Sequence, residues 1–509
     1  MTAALPLKRV VIVGGGTAGW MTAAALARLA AAGTQVTLVE SEAIGTVGVG
    51  EATIPSLHDY NRFLGIDEDD FVRATGATFK LGIEFAGWGR QDDRYIHPFG
   101  SFGRDIEGIK FHQFWLRQSG LAAPADDIGP IEDYCLSAVA ARMGKFNRPV
   151  GDPTAVLSTL RYAFHFDAGL YARYLRGMAE AGGVARVEGR VTSVDLVPET
   201  GFIRSILLED GRRIEGDLFV DCSGFRSLLL GVTLDVPFVS WQHWLPCDRA
   251  YAVPSVTAGP PLPYTRAMAT AAGWRWRIPL QHRVGNGHVY ASAFMNDQDA
   301  ADALVAGLDS AAAAEPRQLR FTAGVRERLW ERNCVAIGLS GGFLEPLEST
   351  SIHLIQAGIT RLMSLFPDSG HSSVERAAYN RMMRDEYAHI RDFIILHYHA
   401  TDRDDSPFWN QVRTTPPPDT LAARLALWRE RGRALPEAGQ LFTEDSWIAV
   451  LLGQAGRPAS HDPLLAALPT AEAGRFLRHL RDVIGQTAAA MPGHAQFIAR
   501  HCAGANLPR

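Results

Sequence analysis

Arg9-Val10-Val11-Ile12-Val13-Gly14-Gly15-Gly16-Thr17-Ala18-Gly19 is the stretch that decides the fold. Its β-branched run reads as a buried strand, and the glycines that follow fit G-x-G-x-x-G. Thr17 to Ala32 is alanine-rich and reads as a helix, and Gln35 to Val39 reads as a second strand closed by Glu40. Strand, glycine turn, helix, strand and acid in that order make the βαβ unit that binds a dinucleotide. Gly14 permits the tight turn, Gly16 lets the backbone approach a pyrophosphate, and Gly19 lets helix and strand pack closely. Thr17 and Ala18 open the helix, whose first N–H groups and positive dipole end suit phosphates. Glu40 lies about twenty residues beyond Gly19, where a carboxylate meets a ribose diol.

Composition narrows the class. A chain of 509 residues exceeds one average domain, and 47% hydrophobic with 21% charged residues describes an ordinary globule. A net charge of -5 offers no basic footprint for nucleic acid. Cys135, Cys222, Cys247, Cys334 and Cys502 are scattered without a C-x-x-C or metal-ligand spacing, which suits a reduced, cytoplasmic protein. Met1 to Lys8 is too short for a signal peptide, and the apolar stretch Met21 to Ala32 is broken by Arg28, so no membrane span is expected. Lysine is scarce: only Lys8, Lys80, Lys110 and Lys145 occur among 50 cations. Arginine keeps its proton whereas a buried lysine can react, so each lysine carries extra information.

Further along, Val47 to Pro55 places Val49, Gly50 and Ala52 in a run of small residues suited to backbone lying against a ligand, or to a plain loop. Thr78 to Ala86 alternates as one strand, with Phe79, Leu81, Ile83 and Phe85 on one face and Lys80, Gly82 and Glu84 on the other. Lys80 is then either a reactive amine beside a glycine or a solvated lysine paired with Glu84. Residues 90–150 are irregular and aromatic, fit either to wrap a core or to line an apolar pocket. A helix from Asp167 to Gly182 precedes strands at 184–187, 191–197, 205–209 and 213–214. Leu218 to Gly224, holding Asp221, is a second buried strand entering a small-residue turn, as a large flavoprotein needs to close its cofactor site. Trp274, Trp276 and Ile278 share one strand face, and Val335 to Ile337 ends at Gly338. Leu339 to Glu348 leads to a helix capped by Ser349 or Thr350, which puts Thr350 and Ser351 at an N-terminus ready for a small anion. Glu348 there reads equally as a cap. A long amphipathic helix spans Ser373 to His397, a polar connector spans Tyr398 to Trp409, and a helix spans Asp419 to Arg431 after Pro416-Pro417-Pro418.

Taken together, Gly14 to Trp20, Gly48-Val49-Gly50-Glu51-Ala52-Thr53, Lys80 before Leu81-Gly82-Ile83-Glu84-Phe85, Trp274-x-Trp276-x-Ile278-Pro279 and Glu345-Pro346-Leu347-Glu348-Ser349-Thr350 resemble the flavin-dependent tryptophan halogenases. Phe408-Trp409 extends the likeness towards the C-terminus. The resemblance implies an α/β fold: a Rossmann-like FAD-binding module of the flavoprotein monooxygenase type over residues 1–370, with an inserted substrate-lining segment near 90–150. A mainly helical substrate-covering module would follow over 371–509. It implies that reduced FAD from a separate NAD(P)H-dependent flavin reductase, O2 and chloride or bromide yield hypohalous acid, which Lys80 receives. Glu348 would activate the electrophile or take the proton from the halogenated ring. Thr350 and Ser351 would hold halide. Trp274 and Trp276 would wall substrate from flavin. His112 and Phe114 resemble the pair that sandwiches the substrate ring, and Ser349, Phe408 and Trp409 would complete that pocket. A homodimer is one open arrangement.

The chain departs from the tryptophan-specific members. They usually carry glycine and an aromatic at the positions of Ser351 and His353, and their segment before Phe-Trp holds the amino acid's charges. Here that segment, His397 to Pro407, matches only in part. Indole or another uncharged electron-rich aromatic is therefore the expected substrate. Direct aromatic hydroxylation and non-catalytic flavin binding are the competing readings.

Overall fold

Short β-branched runs bury on both faces only when other elements cover them, which is how the first sheet is built. In the computed structural model, which describes residues 5–44, 50–121, 128–467 and 470–504, this sheet has six strands. Their order is Trp330–Glu331, Cys334–Ala336, Leu218–Asp221, Arg9–Val13, Gln35–Glu40, Ala185–Glu188. All neighbours pair in parallel except the edge strand Trp330–Glu331. The helices Thr17–Ala31 and Ala168–Ala181 pack together beside it. A meander of Val191–Leu196, Ile203–Leu208 and Arg213–Glu215 closes one side, where Val11, Ile203, Ile206 and Phe219 share a core. The expected helices and strands are found here with ends moved by one or two residues.

This sheet belongs to the first of two compact units, made of residues 1–76, 166–243 and 320–388; the second holds 77–165, 244–319 and 389–509. The chain thus does not divide once near residue 370. Strands donated by separate segments complete each sheet, so the sequence passes repeatedly from one unit to the other. The second unit is centred on a seven-stranded sheet ordered Arg317–Arg320, Arg249–Ser255, Val284–Tyr290, Gly273–Pro279, Thr265–Thr270, Gly82–Ala86, Arg94–Pro98. Its C-terminal portion is helical, including Pro407–Thr414, Asp419–Arg431, Glu444–Val450 and His494–His501. Residues 90–150 are more regular than expected, containing a strand at Arg94–Pro98 and helices at Phe111–Leu121 and Leu136–Arg142.

The alternating stretch 78–86 is two strands, not one. Thr78–Lys80 pairs with residues 163–165, and Gly82–Ala86 joins the seven-stranded sheet. The change of sheet falls at Leu81, whose N–H goes to the Pro263 carbonyl while its own carbonyl accepts from Phe99.

Among the described residues no helix is long and apolar enough to cross a membrane, and no cluster of His, Cys, Asp and Glu could hold a metal.

Candidate active site

In the first unit the glycine turn has the shape a dinucleotide requires. Gly14 sits at φ +117°, and a Cβ there would lie 2.2 Å from the Cys222 carbonyl, so glycine alone fits. Around Gly16 a Cβ would meet nothing within 4 Å among the described residues, which leaves space for a ligand to approach the backbone. Gly19 faces the Gly14 carbonyl, which a Cβ would strike at 1.8 Å. The Glu40 carboxylate reaches back over Gly15 and pairs with Arg186 at 2.5 Å. Gly338, at φ +79°, brings its turn against Ala18, so Thr17 and Ala18 at the helix start and the second turn lie side by side. Gly50 and Ala52 are buried in the strand Gly50–Ala52, and Val49 lies outside the described residues.

Asp221 contributes differently from the expectation. Its carboxylate accepts from Ser223 N–H and O–H and from the N–H groups of Leu229 and Leu230, at 2.5–3.0 Å. Fully buried, it spends its acceptors on the chain and holds the turn after its strand. Glu51 is pushed up to about 7 by burial.

Pro346–Glu348 forms a 3-10 turn that ends with Glu348 1% exposed. Ser349 follows at φ 60°, a left-handed conformation that reverses the chain into the helix Ser351–Ser364. Thr350 occupies the cap position without a capping side-chain bond. Its hydroxyl oxygen is buried with no hydrogen-bond partner among the described residues. An uncapped first turn, a buried unpaired hydroxyl and the positive end of a helix together suit an anion.

Sequence reasoning missed the polar string behind this turn. Ser56 Oγ lies 3.2 Å from His353 Nδ1 and donates to Gln356 Oε1 at 2.9 Å. His353 Nε2 meets Glu386 at 2.8 Å, and Arg361 donates to the same carboxylate at 2.6 Å. Burial pushes Glu386 up, but the bonds and charges of His353 and Arg361 outweigh it and bring it down to about 2. His353 was legible as a departure from the family; Glu386 lies on another helix, and nothing local in sequence points to it.

In the second unit, Lys80 is fully buried rather than solvated, with Nζ 5.0 Å from the centre of the Phe99 ring. Glu84 pairs instead with Arg266 at 3.1 Å and Arg94 at 3.7 Å. Two imidazoles flank the lysine strand. Thr78 Oγ donates to the Pro279 carbonyl at 2.6 Å, so it accepts from His165 Nδ1–H, and His165 Nε2 accepts from Thr265. Burial, reinforced by the Lys80 charge, holds His165 well below the usual imidazole range. His494 accepts from the Phe79 N–H and donates to Pro261, and burial lowers it to about 4. Both rings are neutral and add no charge beside the amine.

The Thr78–Pro279 bond ties the lysine strand to the end of the Trp274-x-Trp276 strand. Trp274 and Trp276 lie on one buried face with ring centres 6.0 Å apart, as the alternation requires. Trp276 stands opposite Gly287, where a Cβ would meet the indole at 2.0 Å. Phe408 and Trp409 are fully buried: Trp409 Nε1 donates to the Thr270 carbonyl, and the Phe408 ring packs on Phe294 and Tyr398.

His112 and Phe114 do not form a facing pair. Two residues apart on the helix Phe111–Leu121, they point about 200° away from each other. His112 Nε2 meets the Gly432 carbonyl at 2.8 Å, whereas Phe114 packs with Ile109 and Leu465.

Residues 9–470 match the tryptophan halogenase family. The chain belongs to that family. It is 36% identical to the tryptophan 6-halogenase SttH of Streptomyces toxytricini, over 96% of this chain and 98% of the relative. Among solved structures, Xcc4156, a flavin-dependent halogenase from Xanthomonas campestris, is similar with a TM-score of 0.94 and 49% identity, covering 99% of this chain and 100% of that one. BrvH, a flavin-dependent halogenase from Brevundimonas sp. BAL3, gives 0.92 and 47%, covering 97% and 99%. The chain is therefore a flavin-dependent halogenase with a Rossmann-like FAD module, an oxidoreductase that consumes reduced FAD and halide. The open side of Gly16 and the placement of Glu40 fit FAD.

Proposed function

We propose that this halogenase acts on free indole or a similar uncharged, electron-rich aromatic, in the cytoplasm, with reduced FAD supplied by a separate reductase. The observation that carries the substrate reading is the connector before Phe408-Trp409. Asp402 is exposed and faces Arg90; Asp405 is held by both Arg403 nitrogens at 2.8 Å; Asp404 is exposed. None of these carboxylates is buried to meet an ammonium group. Tryptophan brings an ammonium and a carboxylate, and each loses about tenfold in affinity for every 1.4 kcal/mol of desolvation left unmatched.

Reduced FAD when bound would activate O2, the oxidant that takes halide to hypohalous acid. The chain's own part begins at the first turn of Ser351–Ser364, where Thr350 Oγ and the amide of Ser351 hold the halide. Gly14, Gly16, Gly19 and Gly338 bring backbone to the cofactor. Lys80 receives the oxidant and positions it by donation from Nζ, a compact amine that can also give up its proton, as guanidinium does not. Glu348 stabilises the cationic ring and accepts its proton, an electrostatic role that burial strengthens. Trp274 and Trp276 separate substrate from flavin. Phe408, Trp409, Ser349, His112 and Phe114 are the candidate substrate-lining residues, with His112 and Phe114 acting singly rather than as a clamp.

The test is product mass spectrometry with indole and tryptophan in parallel, each with a reductase, FAD, NADH and chloride or bromide. Indole is expected to give the higher kcat/KM. A clear preference for tryptophan would overturn the substrate reading, and a hydroxylated product without halogen would overturn the roles given to Lys80 and the tryptophans.

A further inference from the structure

The string Ser56–His353–Glu386–Arg361 has no part in the chemistry above, yet it is half-buried or buried throughout and the Glu386 carboxylate is met by both His353 and Arg361. Ser56 opens the helix that directly follows Glu51-Ala52-Thr53-Ile54-Pro55. His353 stands in the first turn of the helix Ser351–Ser364, three residues past the unpaired Thr350 hydroxyl. Glu386 projects from the helix Ser373–His399. Ser56 gives its only proton to Gln356, so its oxygen is left to accept at His353 Nδ1, while Nε2 meets the Glu386 carboxylate. One imidazole therefore pins the uncapped turn to two other helices.

We propose that His353 is a positioning residue for halide: the hydrogen bonds at its two ring nitrogens fix the turn that binds the anion, in register with the segment that lies against the cofactor. This rests on the reading of Thr350 and Ser351 as the halide seat. An anion at a helix end depends on how the first N–H groups are aimed, and the effect fades within one turn. Loss of the pin should thus weaken halide binding while the chemistry at saturating halide proceeds.

The experiment compares His353→Phe, Ser56→Ala and Thr350→Val with the parent holoenzyme. KM for bromide and kcat are measured on indole, FAD affinity by flavin fluorescence, and folding by thermal melting. His353→Phe is expected to raise KM for bromide about three- to tenfold, equivalent to about 0.7–1.4 kcal/mol, with kcat and FAD affinity within about twofold. Ser56→Ala, which removes one acceptor and is the milder change, is expected to raise it about twofold and carries the test if His353→Phe does not fold. An unchanged bromide KM in the folded variants, or a raised KM accompanied by equal losses of kcat and FAD affinity, would overturn the proposal. The outcomes separate from the underlying reading through Thr350→Val. If that variant leaves the bromide KM unchanged, the halide seat itself is misplaced; if it raises KM while the others do not, only the role of His353 fails.

Discussion

Replacing Lys80 by methionine is the sharpest perturbation of the proposed chemistry. The side chain is fully buried, so its four-carbon stem packs as a hydrophobe would, and its ammonium lies over the Phe99 ring. Lys80→Ala removes both parts, and a large-to-small change at such a site costs about 2–5 kcal/mol of stability through the cavity alone. Lys80→Met keeps the volume and should cost under about 1.5 kcal/mol, which leaves the loss of the amine as the main difference. Deleting a positioned donor in a dry site slows a reaction about 10²–10³-fold, or about 2.7–4 kcal/mol of transition-state stabilisation. Lys80→Met is therefore expected to bind FAD as the parent does and to consume reduced flavin in the presence of bromide. Its yield of halogenated product should fall at least a hundredfold, on the order expected for a lost donor. Lys80→Arg should not restore it, because guanidinium keeps its protons and is planar. Product is read by mass spectrometry, and hypohalite lost to solution by a chemical trap in the same reaction. Halogenation by Lys80→Met at near-parent rates would refute the assignment, since the packing it preserves would then be all that Lys80 provides.

Three further outcomes follow from other residues. Glu348→Gln is expected to slow product formation while hypohalite release continues, measured in the same paired assay; flavin turnover falling in parallel would make Glu348 structural. The purified protein is expected to oxidise NADH negligibly without added reductase, because only one dinucleotide fingerprint occurs and it is assigned to FAD; rapid oxidation in a spectrophotometer would contradict this. Glu51, raised by burial from 4.5 to about 7, binds a proton in the folded chain between those values that the unfolded chain has lost, so stability falls as pH rises through this window. Glu51→Gln should stabilise the cofactor-free protein at pH 8 by up to about 3 kcal/mol and by little at pH 4, read by urea unfolding.

The sequence made the first unit legible because its signals are local and redundant. Arg9 to Glu40 carries hydrophobic run, glycine spacing, helix and terminal acid within one βαβ unit, and each is found where the spacing put it. What stayed hidden was set by chain segments far apart in sequence. The break at Leu81 depends on Pro263 and Phe99, and the division into two units depends on strands donated from separate stretches. His112 and Phe114 failed as a pair for the opposite reason: the family likeness suggested two facing rings, while the helix Phe111–Leu121 fixes an angular separation that forbids it.

Lys80 shows where period-two reading stops. Within Thr78–Lys80 alternation sets the lysine opposite Phe79, yet it says only that two faces differ, not that one of them is wet. Both faces are buried here, and the discriminating fact is the set of partners around the strand. Thr78, His165 and Thr265 form a chain of neutral donors and acceptors that ends on the Pro279 carbonyl, so the lysine strand and the tryptophan strand are held in one register by side chains. A solvated surface lysine would need none of this, since an exposed ion pair with Glu84 would contribute under about 1 kcal/mol and tolerate either cation. In a chain that uses arginine at nearly every cationic position, a lysine buried here at the cost of desolvating its amine fits the role proposed for it.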